Sequence, residues 1–302
     1  MGKSKLTILV ITMNRSEQLI KALDSCLHCE LYEDTKFVII DNASTDNTEE
    51  IVKKLMNSSG YEYYYEKLDQ NLGVGGGRNY AYKHSSTEYS YVLDDDALID
   101  FKNNPNFFKK AIEIMDKHEE IVTLTTQIYD KAWQKDRVEK LGSEIYSGIF
   151  TCKVFCGGSH FLRNEFFNVE PYLSNKYGFE ELPTSLKVLD QGKINAFAPE
   201  LLVIHCPKIN KWTKSDSNNN RLYINECAVP YAIKKMMYPH IFHPIIYGAY
   251  KIRCIKHLKS ICGGLKEANI RVKETMNKYP INYKIKITTV LKMLKEFGSS
   301  IF

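Results

Sequence analysis

The chain has 302 residues, 44% of them hydrophobic and 25% charged, which excludes a disordered chain and supports one large globular domain or a domain with an appendage. Its 41 basic and 36 acidic side chains give a formal charge of +5, but the charge is unevenly placed. Residues 208–302 carry 18 basic and 5 acidic residues, a net of +13, leaving −8 for residues 1–207, so a uniformly basic, nucleic-acid-coating protein is excluded.

The first apolar run, Leu6–Thr12, is too short for a secretory leader and reads as a buried strand. Ser16 is the expected N-cap of an amphipathic helix over Glu17–Cys29. A second strand, Lys36–Ile40, ends in Asp41-Asn42-Ala43-Ser44, and Thr45 or Asp46 is expected to cap a helix reaching Met56. Tyr61–Glu66 is a third strand. The glycine-rich segment Asn71–Gly77 then leads to a helix from Arg78 to His84. Tyr89–Leu93 is a fourth strand, closed by Asp94-Asp95-Asp96. Strands separated by helices of this length predict βαβ units and a mostly parallel α/β sheet flanked by helices. Further on, strands are expected near Val122–Gln127, Ile145–Phe155 and Leu201–His205, and helices near Asn106–His118 and Glu180–Gln191. From Lys208 the pattern turns helical, over about 218–238, 241–261, 264–278 and 283–297, with 215–220 a polar loop. The charge boundary suggests a catalytic domain over 1–207, with 1–100 and 101–207 as its halves, and a basic helical region over 208–302.

Polar residues gather just past the strand ends: Asn14-Arg15, Asp41-Asn42, Asn71 and Asp94–Asp96. In open α/β sheets that edge is where ligands bind. In an extended segment Asp94 and Asp96 point the same way, so they can converge on a hard cation such as Mg²⁺ or Mn²⁺ holding a diphosphate. The four glycines of Asn71–Asn79 permit close backbone approach, and the helix start beyond them offers N–H donors to an anion, with Arg78 a candidate phosphate partner. The segment is not a P-loop, and it follows the third strand, which disfavours a nicotinamide enzyme. Cys26 and Cys29, with Cys152 and Cys156, make a zinc site only if both pairs converge, so buried thiols are the expected reading.

Together ILVITMNR, VIIDNASTDNT, NLGVGGGRN and VLDDDA resemble the motifs of family 2 glycosyltransferases of the GT-A fold, in that family's order. The likeness continues through Gly157-Gly158-Ser159 with Arg163, through GFEEL and SLKVLDQGKI, and to APELLVIHC, covering about residues 5–206. The resemblance implies an inverting, metal-dependent transfer from a nucleoside-diphosphate sugar, by family habit a uridine diphosphate sugar, to a hydroxyl of a glycan, lipid-linked or glycoprotein acceptor, as in polysaccharide biosynthesis. It implies a donor pocket of Thr12, Asn14, Arg15, Asp41, Asn42, Ser44, Asn71, Gly73, Arg78, Asn79, Asp94 and Asp95. Gly157, Gly158 and Ser159 would face the acceptor. Asp94, Asp96 and His205 would hold Mn²⁺ or Mg²⁺. Glu181 would be the catalytic base in place of the family's usual Asp, with Glu180 as the alternative. A nucleotidyltransferase normally places its glycine loop after the first strand, and a non-catalytic nucleotide-sugar-binding scaffold protein is the rival from another class.

Eight cysteines without a leader suggest a cytoplasmic protein with reduced thiols. The basic helices fit an anionic surface at the inner face of the cell membrane, packing on the catalytic domain, or a second subunit in a homodimer. No nucleic-acid-binding module is evident.

Overall fold

The computed structural model describes residues 4–137, 141–176, 178–208 and 216–302. The first half alternates as its pattern predicts: β1 (Leu6–Thr12), α1 (Ser16–Leu27), β2 (Lys36–Asp41), α2 (Thr48–Ser59), β3 (Glu62–Lys67), α3 (Gly73–Lys83) and β4 (Tyr89–Asp94). Ser16 opens α1 but does not cap it; its hydroxyl donates to Asn47. Asp46 accepts the first backbone N–H of α2, from Thr48, at 3.2 Å. Then come β5 (Ala97–Ile99), α4 (Phe107–Lys117), β6 (Ile121–Asp130), β7 (Lys135–Asp136), β8 (Glu144–Tyr146), β9 (Ile149–Thr151), β10 (Ser159–Arg163), α5 (Leu182–Asp190) and β11 (Ile194–His205). The single strand expected over 145–155 is a hairpin, because Gly148 turns the chain at φ +73. β10 escaped the sequence reading. β11 begins earlier than Leu201 and passes Pro199 through a register shift between Ala198 and Leu202, which spares the ladder a missing N–H.

Among the described residues the strands form one sheet in the order β3-β2-β1-β4-β10-β6-β11-β9-β8, with β5 on β11 and β7 on β6. The six longest, β1–β4, β6 and β11, run in one direction, and β10 lies antiparallel between β4 and β6. The central strands β1, β2, β4, β6 and β10 are buried on both faces, as the near-continuous apolar runs of β1, β2 and β4 require. Leu6, Ile8 and Val10 face one side with Phe37, Ile39 and Tyr91. Leu9, Val38, Ile40 and Val92 face the other, under Ala81 of α3. The alternation brings the C-terminal ends of the six strands to one edge, and that edge is where the polar clusters sit.

The C-terminal helices are α6 (Asp216–Met237), α7 (His243–Leu258), α8 (Gly264–Lys278) and α9 (Ile287–Phe297). The polar loop expected over 215–220 is helical from Asp216, and Ser215 lies outside the described residues. Their core includes Tyr231, Ile246, Tyr250 and Val290 and extends to Leu182 and Leu186 of α5. Asp190 fastens the end of α5 to the entry of α9: it accepts the Lys286 N–H and the Thr289 hydroxyl at 2.7 and 2.6 Å, and the Tyr283 hydroxyl at 2.7 Å. Burial would raise its carboxyl, but these hydrogen bonds hold it below the usual range. Asp190→Ala is expected to cost about 3 kcal/mol in denaturant unfolding. Because the folded-state value is depressed, the wild-type advantage is present above the ordinary carboxylate range and lost as pH falls through the folded value; a cost that did not shrink in acid would contradict the role.

Candidate active site

The ends of β1, β2 and β4 are tied together by side chains. Thr12 donates to Asp95 at 2.7 Å, and Arg15 Nη1 reaches Asp95 at 2.9 Å and Asp96 at 2.8 Å. Asn14, at φ +53, accepts the Thr45 N–H on its side chain and donates its own N–H to Ser44. Asp41 accepts the Ser44 N–H and the Tyr65 hydroxyl, and Asn42 accepts the Leu72 N–H while donating to the Gly73 carbonyl. Asn71 accepts the Gly73 N–H at 2.7 Å. Thr12, Asn14, Arg15, Asp41, Asn42, Ser44, Asn71 and Gly73 are thus one hydrogen-bonded rim.

The glycine segment works differently from the sequence expectation. α3 starts at Gly73, within the glycine run, and its first N–H groups are already used: Val74 and Gly75 donate to the carbonyls of Lys176 and Asn175. A Cβ at Gly75 would lie 1.9 Å from the Leu173 carbonyl oxygen, and one at Gly73, whose φ is +78, 2.5 Å from the Lys176 Cα. The glycines admit segment 173–176 and leave no open anion cradle. Asn79 belongs to the same clamp, since it is buried and exchanges hydrogen bonds with the Tyr172 backbone.

Arg78 is buried and reaches three carboxylates, Glu180 at 2.9 Å, Glu181 at 2.8 Å and Asp94 at 2.7 Å. Its Nη1 and Nη2 are thus engaged by carboxylates, while its buried Nε has no hydrogen-bond partner among the described residues. Burial raises the Glu181 carboxyl to about 8, with Glu180 adding to the rise and Arg78 opposing it. Gly157 lies directly against this pair: a Cβ there would sit 1.8 Å from Glu181 Oε1. Gly158 accepts the Asp94 N–H at 3.0 Å. Ser159 is fully buried between Tyr91 and Thr126. Arg163 sits at the far end of β10, paired with Tyr89, at the opposite sheet edge from Asp94.

Asp94, Asp96 and His205 offer ligand atoms all within 4.8 Å of one another, the one such group found among the described residues. The alternation expected of the triple aspartate holds: Asp95 turns to Thr12 and Arg15, and burial raises its carboxyl to about 6 against Arg15. His205 Nε2 lies 3.0 Å from Asp96 and its Nδ1 3.0 Å from Asp130. Burial would raise Asp96, but His205 and Arg15 hold it below the usual range. Asp130 and Arg137, which lies 2.8 Å from His205 Nδ1, were missed from the sequence. Asp130 is the last residue of β6, so the strand-end rule could have found it; nothing local marks Arg137. Acidic groups here outnumber Arg15, Arg78, Arg137 and His205. Two carboxylates and an imidazole beside that surplus of negative charge fit a divalent cation.

Comparisons with known proteins bear on the family and the fold. The sequence model of glycosyl transferase family 2 matches residues 7–168, more than half of the chain. The poly-beta-1,6-N-acetyl-D-glucosamine synthase of Staphylococcus aureus is 30% identical over 95 residues, 32% of this chain but 22% of the synthase, so the chain spans about a fifth of that relative. An uncharacterised glycosyltransferase of Mycoplasma genitalium is 27% identical over 191 residues, covering 59% of this chain and 61% of its own. Among solved structures, S. aureus TarS residues 1–349 in complex with UDP-GlcNAc superposes with a TM-score of 0.65 at 16% identity, over 91% of this chain and 82% of that one. The mannosyltransferase PcManGT of Pyrobaculum calidifontis, in complex with GDP-Man and Mn²⁺, gives 0.61 at 14% identity, over 97% and 79%. The structural likenesses agree in fold, and the sequence match over more than half the length places the chain in glycosyl transferase family 2.

Proposed function

We propose that the protein is an inverting, metal-dependent glycosyltransferase that moves a sugar from a nucleoside-diphosphate donor to a hydroxyl of a glycan, lipid-linked or glycoprotein acceptor. The observation that carries this reading is that one guanidinium links a carboxylate pair to the metal-competent trio: Arg78 touches Glu180 and Glu181 on one side and, of the trio, Asp94 on the other. Residues 1–207 would form the catalytic domain, with the donor bound largely by 1–100 and the acceptor by 101–207, and 208–302 an appended helical region.

In this scheme the rim from Thr12 to Ser44 orients the nucleoside. Glu181 takes the proton from the acceptor hydroxyl as that oxygen bonds to the anomeric carbon and the bond to the diphosphate breaks. One displacement from the face opposite the leaving group inverts the anomeric centre. Asp94, Asp96 and His205 would hold Mn²⁺ or Mg²⁺, which supplies positive charge to the departing diphosphate. Asp130 fixes the His205 ring. Gly157 leaves room for the Glu181 carboxylate, since a Cβ there would strike Oε1, and Gly158 leaves room for Asp94, since a Cβ there would lie 3.0 Å from Oδ2.

Uridine diphosphate sugars come first as donors, supported by the UDP-GlcNAc bound to TarS and by the N-acetylglucosamine polymer named for the synthase. The test is donor turnover, by release of free nucleoside diphosphate, across uridine, guanosine and thymidine diphosphate sugars with and without acceptor glycans. Turnover of none, with tight donor binding, would favour the scaffold reading. Asp96→Ala is expected to weaken donor affinity in Mn²⁺ by roughly 100-fold, measured by calorimetric titration. Unchanged metal-dependent affinity would remove Asp96 from the metal set.

A further inference from the structure

Helix α7 carries two opposed apolar stripes. Ile246, Tyr250, Cys254 and Leu258 are buried against the other C-terminal helices. Ile241, just ahead of the helix, and Ile245, Ile252 and Ile255 within it fall on the other side at spacings of four, seven and three residues. They are 70%, 50%, 69% and 69% exposed. A surface helix of a water-soluble fold needs only the first stripe. The second leaves four β-branched apolar side chains exposed, with none of the described residues covering them. Lys256 and Lys259 are exposed beside them, and Lys251 and Arg253 flank the stripe on its two sides. No acidic residue occurs between Glu226 and Glu267. α9 repeats the arrangement, with Ile287, Leu291 and Leu294 exposed beside Lys292 and Lys295 while Val290 and Met293 are buried.

We propose that the isoleucine face of α7 is a docking surface for an anionic lipid bilayer, on which the helix lies in the plane of the interface. The isoleucines would enter the headgroup–acyl boundary while the lysines and Arg253 meet lipid phosphates. Charge decides against a second copy of this chain: related stripes would oppose Lys and Arg to Lys and Arg, with no carboxylate on either helix to relieve them. A surface position is also the one open to it, since no helix among the described residues is long and apolar enough to cross a membrane. The inference is independent of the transfer reaction, because binding is measured without any sugar donor.

The experiment is co-sedimentation of the full chain with vesicles of phosphatidylcholine alone and of phosphatidylcholine with phosphatidylglycerol, at low and high salt, alongside light scattering without lipid. The wild type is expected to bind the anionic vesicles only and to release partly at high salt. Combined Ile245→Ser, Ile252→Ser and Ile255→Ser should weaken binding by at least ~30-fold. Lys256→Glu with Lys259→Glu should weaken it by roughly 50-fold at low salt. These five exposed side chains leave the buried face untouched, and circular dichroism should show an unchanged fold; if the isoleucine variant misfolds, the lysine variant carries the test. Failure of the wild type to bind anionic vesicles overturns the proposal, as does undiminished binding by the folded isoleucine variant. So does a wild-type dimer in solution that the isoleucine substitutions convert to monomer, which would show that a second copy covers the stripe.

Discussion

Glu181→Gln is expected to lower kcat on the order of 1,000-fold while donor affinity stays within about two-fold. Gln keeps the size of the side chain and can still meet Arg78 through its amide oxygen, but it cannot take a proton. The pH dependence identifies the group further. Burial is the main reason the Glu181 carboxyl rises to about 8, and the neighbours that face it are Glu180, Arg78, Asp94, Tyr172 and Cys156. A base acts when deprotonated, so wild-type kcat should climb with pH and level off above that value, and the climb should vanish in the Gln variant. Folding carries the opposite sign: with the folded-state value raised, the protonated group favours the native state, and stability declines as pH rises through about 8. Activity and stability therefore trade against each other across the same pH interval. Glu181→Asp, one methylene shorter, should keep the pH profile at a kcat reduced by about 10- to 100-fold. A larger loss in Glu180→Gln than in Glu181→Gln would move the base to Glu180.

The parts of this site that sequence shows plainly are those set by local periodicity. β1, β2 and β4 are continuous apolar runs, so their ends, and with them Asn14, Asp41 and Asp94, could be read directly. The i, i+2 rule separated Asp95 from Asp94 and Asp96 for the same reason. What could not be read depends on distant chain. The glycine run looks like an anion cradle until segment 173–176 is seen lying on it, a contact of about a hundred residues' separation. Arg78 looks like a phosphate ligand until the start of α5 delivers Glu180 and Glu181 to it. β10 is five residues long, buried on both faces and contains His160 and Arg163, so neither alternation nor length marks it. Ser159, its first residue, shares a motif with Gly157 and Gly158 but points into the core, because a strand sends adjacent side chains to opposite faces.

Arg78→Met is expected to lower the folding free energy by about 3–5 kcal/mol near pH 8, because it strips the one guanidinium from three carboxylates at once. The buried arginine bonds Glu180 and Glu181 through Nη1 and Asp94 through Nη2, and its ring neighbour Tyr172 lies 5.7 Å away. Methionine fills the volume without charge, so the loss measures uncompensated acid and not a cavity. The deficit should shrink as pH falls and the carboxylates take up protons, which separates it from a packing defect that would persist at every pH. Arg78→Lys tests geometry in turn. A single ammonium keeps the charge but cannot span Asp94 and Glu181 with a rigid fork, so the fold should be largely retained while kcat drops by roughly 100-fold. Asp94 and Glu181 would then no longer be held at a fixed separation, and the proposed mechanism needs both in place for the same displacement. If the Lys variant turned over at the wild-type rate, the guanidinium would be a counter-charge alone. If the Met variant unfolded within about 1 kcal/mol of wild type at pH 8, the three acids would have to be relaxing into water, and Arg78 would not be what holds the site together.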